Sequence, residues 1–174
     1  MENSEIFISE ENIQKRVIEL ASKIDDDFNN EEIVIISVLK GSIYFTIDLM
    51  KNIKNANISL DFIKVSSYKN QTETSKNIDF QLDVSIDITN KNVIIVDDIL
   101  DSGYTMNFLY NHLAKKNPKS IKSCVLLNKP ERRIVDINAD YTGFDIENEF
   151  VIGYGLDYDE KYRNLPHISY IKRK

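Results

Sequence analysis

The sequence contains a single cysteine, Cys124. That excludes a disulfide framework within the chain and any cysteine-based zinc site. Cys124 lies in the apolar run CVLL, where a small buried hydrophobe is the expectation and a reactive thiol the alternative. Histidine is nearly as scarce: His112 and His167 match no paired metal motif, and His112 is expected on a helix surface. No apolar run approaches the length needed to span a bilayer. The start, MENSEIFISE, is acidic and has no positive flank ahead of an apolar core, unlike a signal peptide. A cytoplasmic, soluble protein without a membrane partner is therefore expected. Positive charge is in deficit too, with 22 Lys and Arg against 28 Asp and Glu, a net −6 at pH 7. Chains that neutralise nucleic-acid phosphates are usually basic, so no nucleic-acid partner is expected. The tail IKRK is short enough to be a solvated terminus.

What is present suits one domain, residues 1–174, with an ordinary globular mix of 42% hydrophobic and 29% charged residues. Repeats, low-complexity tracts and interdomain linkers are absent. Ile13, Val17, Leu20, Ala21 and Ile24 follow helical spacing, and DDDFNNEE then breaks the pattern as a polar loop. IVIISV (Ile33 to Val38) and NVIIVDD are apolar on both faces, as strands covered on both sides are. After LKGS a second helix is expected with Ile43, Ile47 and Met50 on one face. ISLDFIKV and FQLDVSIDI alternate and are predicted strands, the second with one wet face. Between them, about residues 66–77 form a long polar loop, and loops of that length are often functional lids. A helix from about Tyr104 carries Met106, Leu109, Tyr110 and Leu113 inward and ends before Pro118. SCVLLNKP is a further buried strand, and FVIGYGLDY a last one running into glycines. Buried strands alternating with helices predict an α/β fold with a mainly parallel twisted sheet. Ligands bind such sheets beyond the carboxyl ends of strands. LKGS, VDD, NKP and GYGLDY all fall there, which points to an enzyme.

The most informative stretch is VIIVDDILDSGYT, Val93 to Thr105. Asp97, Asp98 and Asp101 crowd the end of a buried strand, where like charges repel strongly. A cation, a hydroxyl-bearing sugar or water must offset that cost. In the following turn Gly103 lets the backbone close around a ligand, and the first amides of a helix favour an anion. Ser102 and Thr105 add hydroxyl donors. The turn is either a phosphate cradle without a P-loop lysine or an ordinary Asp or Ser N-cap. A sugar phosphate suits cradle and acids together: anion in the turn, ring hydroxyls on the carboxylates.

VIIVDDILDSGYT resembles the phosphoribosyl-pyrophosphate signature of type I phosphoribosyltransferases. VLKGS, SSY, LLNKPERR and FVIGYGLDYDEKYRNLPHI resemble, in order, segments of hypoxanthine-guanine phosphoribosyltransferases, from about Ile33 to Ile168. The resemblance implies a type I phosphoribosyltransferase fold with a small hood formed by the terminal segments. It implies Mg²⁺-dependent transfer of a 5-phosphoribosyl group from 5-phosphoribosyl-1-pyrophosphate to hypoxanthine or guanine, giving IMP or GMP and pyrophosphate. Asp101, Ser102, Gly103, Tyr104 and Thr105 would take the 5′-phosphate, and Asp97 and Asp98 the ribose hydroxyls, directly or through metal-bound water. Lys40, Gly41 and Arg163 would meet pyrophosphate, with a Leu39–Lys40 peptide that is often cis in the family. Asp101 would be the general base or acid at purine N7, an acid crowded by other acids. Lys129 would donate to the 6-oxo group, Phe150 would stack on the ring, and the Val151 backbone and Asp157 would complete the purine site. Mg²⁺ would draw on Asp157, Asp97 and Asp98. Ser67 and Tyr68 would belong to the lid. A homodimer or homotetramer is usual for the family.

On residues alone, Lys40 is also readable as a solvated lysine, Arg163 as half of a surface ion pair, and Phe150 as strand core. Two other classes compete. Receiver domains of two-component signalling also carry VDD at a strand end, but near the start of the chain. An RNA-binding attenuator related to the phosphoribosyltransferases would share the turn, yet it would not need LLNKP or FVIGYGLDY, and the acidic balance opposes it.

Overall fold

The computed structural model describes residues 4–67 and 78–171. The chain runs β1 (Ser4–Ile8), α1 (Glu10–Phe28), β2 (Ile33–Val38), α2 (Ile43–Asn52), β3 (Ile58–Ser67), β4 (Ile78–Leu82) and β5 (Asn92–Leu100). It continues through α3 (Tyr104–Ala114), β6 (Ser120–Asn128), a short 3-10 turn at Pro130–Arg132, β7 (Tyr141–Asp145), β8 (Val151–Ile152) and β9 (Ile168–Ile171). Among the described residues the main sheet has the order β4-β3-β2-β5-β6-β7, and β1-β9-β8 form a small second sheet. β3, β2, β5, β6 and β7 pair in parallel in that order and β4 is antiparallel, so the expected mainly parallel α/β fold is what forms. No described helix is long and apolar enough to cross a membrane.

The continuous apolar runs are explained by two-sided burial. Successive side chains on a strand point to opposite faces. Ile33, Ile35, Ile94 and Val96 therefore join α1 and α2 in one core, while Val34, Ile36, Val93 and Ile95 join Met106, Leu109 and Leu113 of α3 in the other. Cys124 is completely buried in the first core, as expected of a small hydrophobe, and burial pushes its thiol far up.

Several local expectations need correcting. The first half of the polar loop predicted from Asp25, as far as Phe28, is the last turn of α1, and only Asn29 to Glu32 form the loop. Phe28, one turn beyond Ile24, buries its ring, and the Asp25 carboxylate accepts from the Lys54 and Asn55 amides at 2.9 and 3.1 Å. On α2 the inward face is Phe45, Thr46 and Leu49, and Ile47 is 43% exposed. His112 is half-buried rather than superficial, its ring tilted against Phe80 at 4.2 Å and its Nε2 2.9 Å from Asp83. FQLDVSIDI is a strand only to Leu82, and FVIGYGLDY only at Val151–Ile152. β1, β7 and β9 are strands the sequence reading did not find.

The early end of β4 has a side-chain cause. Asp61 of β3 is buried, and its carboxylate accepts from the amides of Ser85 and Ile86 at 2.6 and 2.9 Å. Those amides are thereby withdrawn from any strand ladder. Burial disfavours the Asp61 charge, but the amides of Ile86, Phe62 and Ser85 outweigh it and hold the pKa below the usual 3.8. Asp61→Ala is expected to cost about 1–3 kcal/mol at pH 7 by leaving buried amides unpaired. Because the folded pKa is the lower one, this contribution exists above 3.8 and fades as pH falls through the folded value. Denaturant melts at pH 7 and at pH values stepped down below 3.8 check the size and whether the gap to wild type narrows.

Candidate active site

The carboxyl ends of β2 and β5 open into a cleft of about 450 Å³. One wall is the loop Leu39–Gly41, which contains a cis Leu39–Lys40 peptide. The floor is Asp97 to Thr105, and Asp157 with Arg163 closes the far side. A second cleft of about 310 Å³ is lined by Lys129, Arg132, Glu149 and Phe150. Asp101 lines both, so the two clefts meet at its side chain.

β5 runs straight through the acids to Leu100, so Asp97 and Asp98 belong to the strand itself. Asp97 is only 8% exposed, and its carboxylate accepts from the Asp98 amide at 2.9 Å. Burial, then the neighbouring Asp98 charge, holds Asp97 well above the usual carboxylate range, and burial raises Asp98 as well. Gly41 packs against Asp98. A Cβ at that position would stand 1.5 Å from Asp98 Oδ2, so only glycine admits this approach.

The turn after β5 resolves one alternative. The N-cap of α3 is Gly103, at φ 88, and no side chain caps the helix, so neither Asp101 nor Ser102 serves as an ordinary N-cap. L residues rarely adopt that φ. Ser102, Gly103, Tyr104 and Thr105 line the first cleft at the positive end of α3. The turn is braced from the opposite side: the Ser102 carbonyl accepts from the amides of Ile134 and Val135, and Arg133 donates to the Asp101 carbonyl and to Asn128 Oδ1.

Asp101 lines the first cleft with Asp97, Asp98 and Asp157, as the sequence suggested, but cationic side chains reach it as well. Its carboxylate accepts from Arg132 Nε at 3.0 Å and lines the same cleft as Lys129. Lys129 is only 8% exposed, and its Nζ donates to the Glu149 carbonyl at 2.7 Å. Burial lowers its pKa. Phe150 is 38% exposed and stands edge-on to Tyr158, which rules out the strand-core alternative. Val151 is buried in β8 opposite Tyr170. Asp157 falls in the first cleft rather than beside Lys129, with Oδ1 2.9 Å from Arg163 Nη2.

Arg163 thus lines the cleft and is ion-paired at once, and its Nη1 also donates to the Gly155 carbonyl at 2.7 Å. Lys40 is likewise both a cleft residue and paired, to Glu160 Oε2 at 2.8 Å. Lys40, then Arg163, holds the Glu160 carboxyl below its ordinary value. At Gly155 a Cβ would lie 2.0 Å from the Gly41 carbonyl oxygen, so the two loops touch main chain to main chain. Of the lid residues, Ser67 ends β3, while Tyr68 and the rest of the predicted lid, residues 68–77, lie outside the described residues.

Arg132, Arg133 and Glu160 were not singled out as site residues from the sequence. The two arginines do sit within LLNKPERR, next to Lys129, and that adjacency was the available signal. Among the described residues no three His, Cys, Asp or Glu side chains converge as a metal cage. Asp97, Asp98 and Asp157 nevertheless present oxygen donors to the first cleft, which no described Cys or His lines. Oxygen-only donors of this kind suit Mg²⁺, which commonly uses one or two carboxylates and completes its shell with substrate phosphates and water.

Residues 5–159 match the family described as "Phosphoribosyl transferase domain". The hypoxanthine-guanine phosphoribosyltransferase of Aquifex aeolicus is 42% identical over 168 residues, 96% of this chain and 94% of that protein. The Bacillus subtilis enzyme of the same name is 41% identical, over 96% of this chain and 92% of its own. A crystal structure of a hypoxanthine-guanine phosphoribosyltransferase from Bacillus anthracis superposes with a TM-score of 0.93 at 52% identity, covering 97% of this chain and 98% of that one. With its acid-bearing strand, glycine-capped turn and buried lysine, the chain belongs to the phosphoribosyltransferases, among the hypoxanthine-guanine enzymes.

Proposed function

We propose that the first cleft binds Mg²⁺-chelated 5-phosphoribosyl-1-pyrophosphate, the second binds hypoxanthine or guanine, and the products are IMP or GMP and pyrophosphate. The observation that carries this is the meeting of the clefts at Asp101. An anion-binding turn and a pair of acids lie on one side of it, and a buried lysine with an exposed aromatic face lies on the other.

The roles follow from position. Ser102 to Thr105 hold the 5′-phosphate at the α3 N-terminus. Asp97 and Asp98 accept from the ribose 2′- and 3′-hydroxyls and, with the charge they regain, favour the oxocarbenium-like transition state. Lys40 and Arg163 take the diphosphate, with the Gly41 backbone beside it. Bound Mg²⁺, held by Asp157 and by Asp97 or Asp98, would neutralise charge on the leaving group. Asp101 faces purine N7 and accepts the proton released there as the glycosidic bond forms. Lys129 turns its ammonium to the 6-oxo oxygen, Phe150 stacks on the ring, and the Val151 main chain meets the ring edge. The β1-β9-β8 sheet supplies this side as a hood, since Ile171 of β9 lines the second cleft with Phe150. A homodimer or homotetramer is the assembly usual for the family.

Spectrophotometric assays with each base, 5-phosphoribosyl-1-pyrophosphate and Mg²⁺ test the reading. Hypoxanthine and guanine are expected to turn over and adenine not, because its amino group cannot accept from Lys129. Lys129→Met is expected to lower kcat/KM for hypoxanthine roughly 10- to 100-fold, the value of a charge-assisted hydrogen bond. Turnover of adenine but not hypoxanthine would contradict the proposal.

A further inference from the structure

One carboxylate oxygen bridges the two cations of the first cleft. Glu160 Oε2 accepts from Lys40 Nζ at 2.8 Å and lies 3.4 Å from Arg163 Nη2. The contact joins residues 120 positions apart in sequence. Arg163 keeps further partners in the Gly155 carbonyl and Asp157, but Lys40 has Glu160 as its ion-pair partner. The side chains are loosely held, 51% exposed for Lys40 and 66% for Glu160, and exposed pairs are weak and exchangeable. The Glu160 backbone is fixed differently: its amide donates to Asp157 Oδ2 at 2.9 Å, in a turn with φ 61. The carboxylate can therefore leave both cations without disturbing the turn that carries it.

We propose that Glu160 is an internal competitor of the diphosphate: its carboxylate holds Lys40 and Arg163 until the diphosphate displaces it, and takes them back as the product leaves. The proposal rests on the assignment of those two cations to the diphosphate. A carboxylate beside the same cations also repels a polyanion that arrives. Its effect is thus to weaken diphosphate binding and hasten release. The 5′-phosphate of a nucleoside monophosphate lies instead at Ser102–Thr105, away from Glu160, so that ligand is an internal control.

The test is calorimetric titration of the full chain with pyrophosphate in the presence of Mg²⁺, and separately with IMP. Glu160→Gln keeps the side chain's shape and removes its charge. It is expected to bind pyrophosphate about 3- to 10-fold more tightly, with IMP affinity unmoved. Lys40→Ala and Arg163→Ala are expected to bind pyrophosphate more weakly. If both do so while Glu160→Gln binds it equally or less tightly, Glu160 merely positions the cations: the inference falls and their assignment stands. If neither alanine variant loses affinity, the assignment itself fails and takes the inference with it. Equal tightening of pyrophosphate and IMP by Glu160→Gln would reveal a general field effect and overturn competition.

Discussion

Asparagine at both Asp97 and Asp98 is expected to cut turnover about 10²- to 10³-fold, the scale for losing charge stabilisation in a transition state, while making the ligand-free protein more stable. The two effects share one origin. Asp97 is nearly buried beside a second carboxylate, and burial and repulsion together oppose its ionisation. A folded pKa raised above the unfolded value contributes stability that is complete below the ordinary 3.8 and is lost as pH rises through the raised value. Above that raised value the fold carries the loss, and the amide variant does not. The melting temperature of Asp97→Asn/Asp98→Asn should therefore exceed wild type at pH 8 and approach it near pH 3. Each kcal/mol relieved is worth about 2–4 °C in a chain of this size. Wild-type turnover in the variant, or a lower melting temperature at pH 8, would show that the acids serve the fold rather than the ligand.

Gly41→Ala should do comparable damage by a purely steric route. The added methyl carbon would lie 1.5 Å from Asp98 Oδ2, so either the carboxylate or the Leu39–Gly41 loop must shift by more than an ångström. Displacements of that size in a reacting constellation cost about 10²-fold. The loss should fall on kcat/KM for 5-phosphoribosyl-1-pyrophosphate, with circular dichroism unchanged. A variant within about twofold of wild type would mean that the loop and Asp98 do not need this spacing during the reaction.

How far the sequence foretold this molecule depended on whether local pattern or distant pairing shaped each part. IVIISV and NVIIVDD were legible because two-sided burial leaves an unbroken apolar run. SEIFI and ISYI were not, because β1 and β9 stabilise each other from opposite ends of the chain, Glu5 facing Tyr170. The alternation in FQLDVSIDI was real but misleading: Val84 and Ile86 do pack on a core, yet the Asp61 carboxylate claims the amides that a strand would need. In α1 three consecutive aspartates concealed a turn that Phe28 anchors. On α2, Ile47 suited the helical spacing as well as Phe45 and Leu49 did, and only the packing partners decide between them.

The site divides in the same way. Asp97 to Thr105 are contiguous, so their convergence on one cleft could be read directly. The environment of Asp101 could not, since Arg132 reaches it from 31 positions away. Asp157 was expected both at the purine and at the metal, and it lies in the first cleft with Asp97 and Asp98, paired with Arg163.

The contact between Gly155 and the Gly41 carbonyl has a mechanical consequence. With no side chain between them, the two backbones behave as meshed teeth: neither segment can advance without driving the other. Any displacement of the Leu39–Gly41 loop is thereby handed on to the stretch that bears Asp157, and through the Gly155 carbonyl to the Arg163 guanidinium.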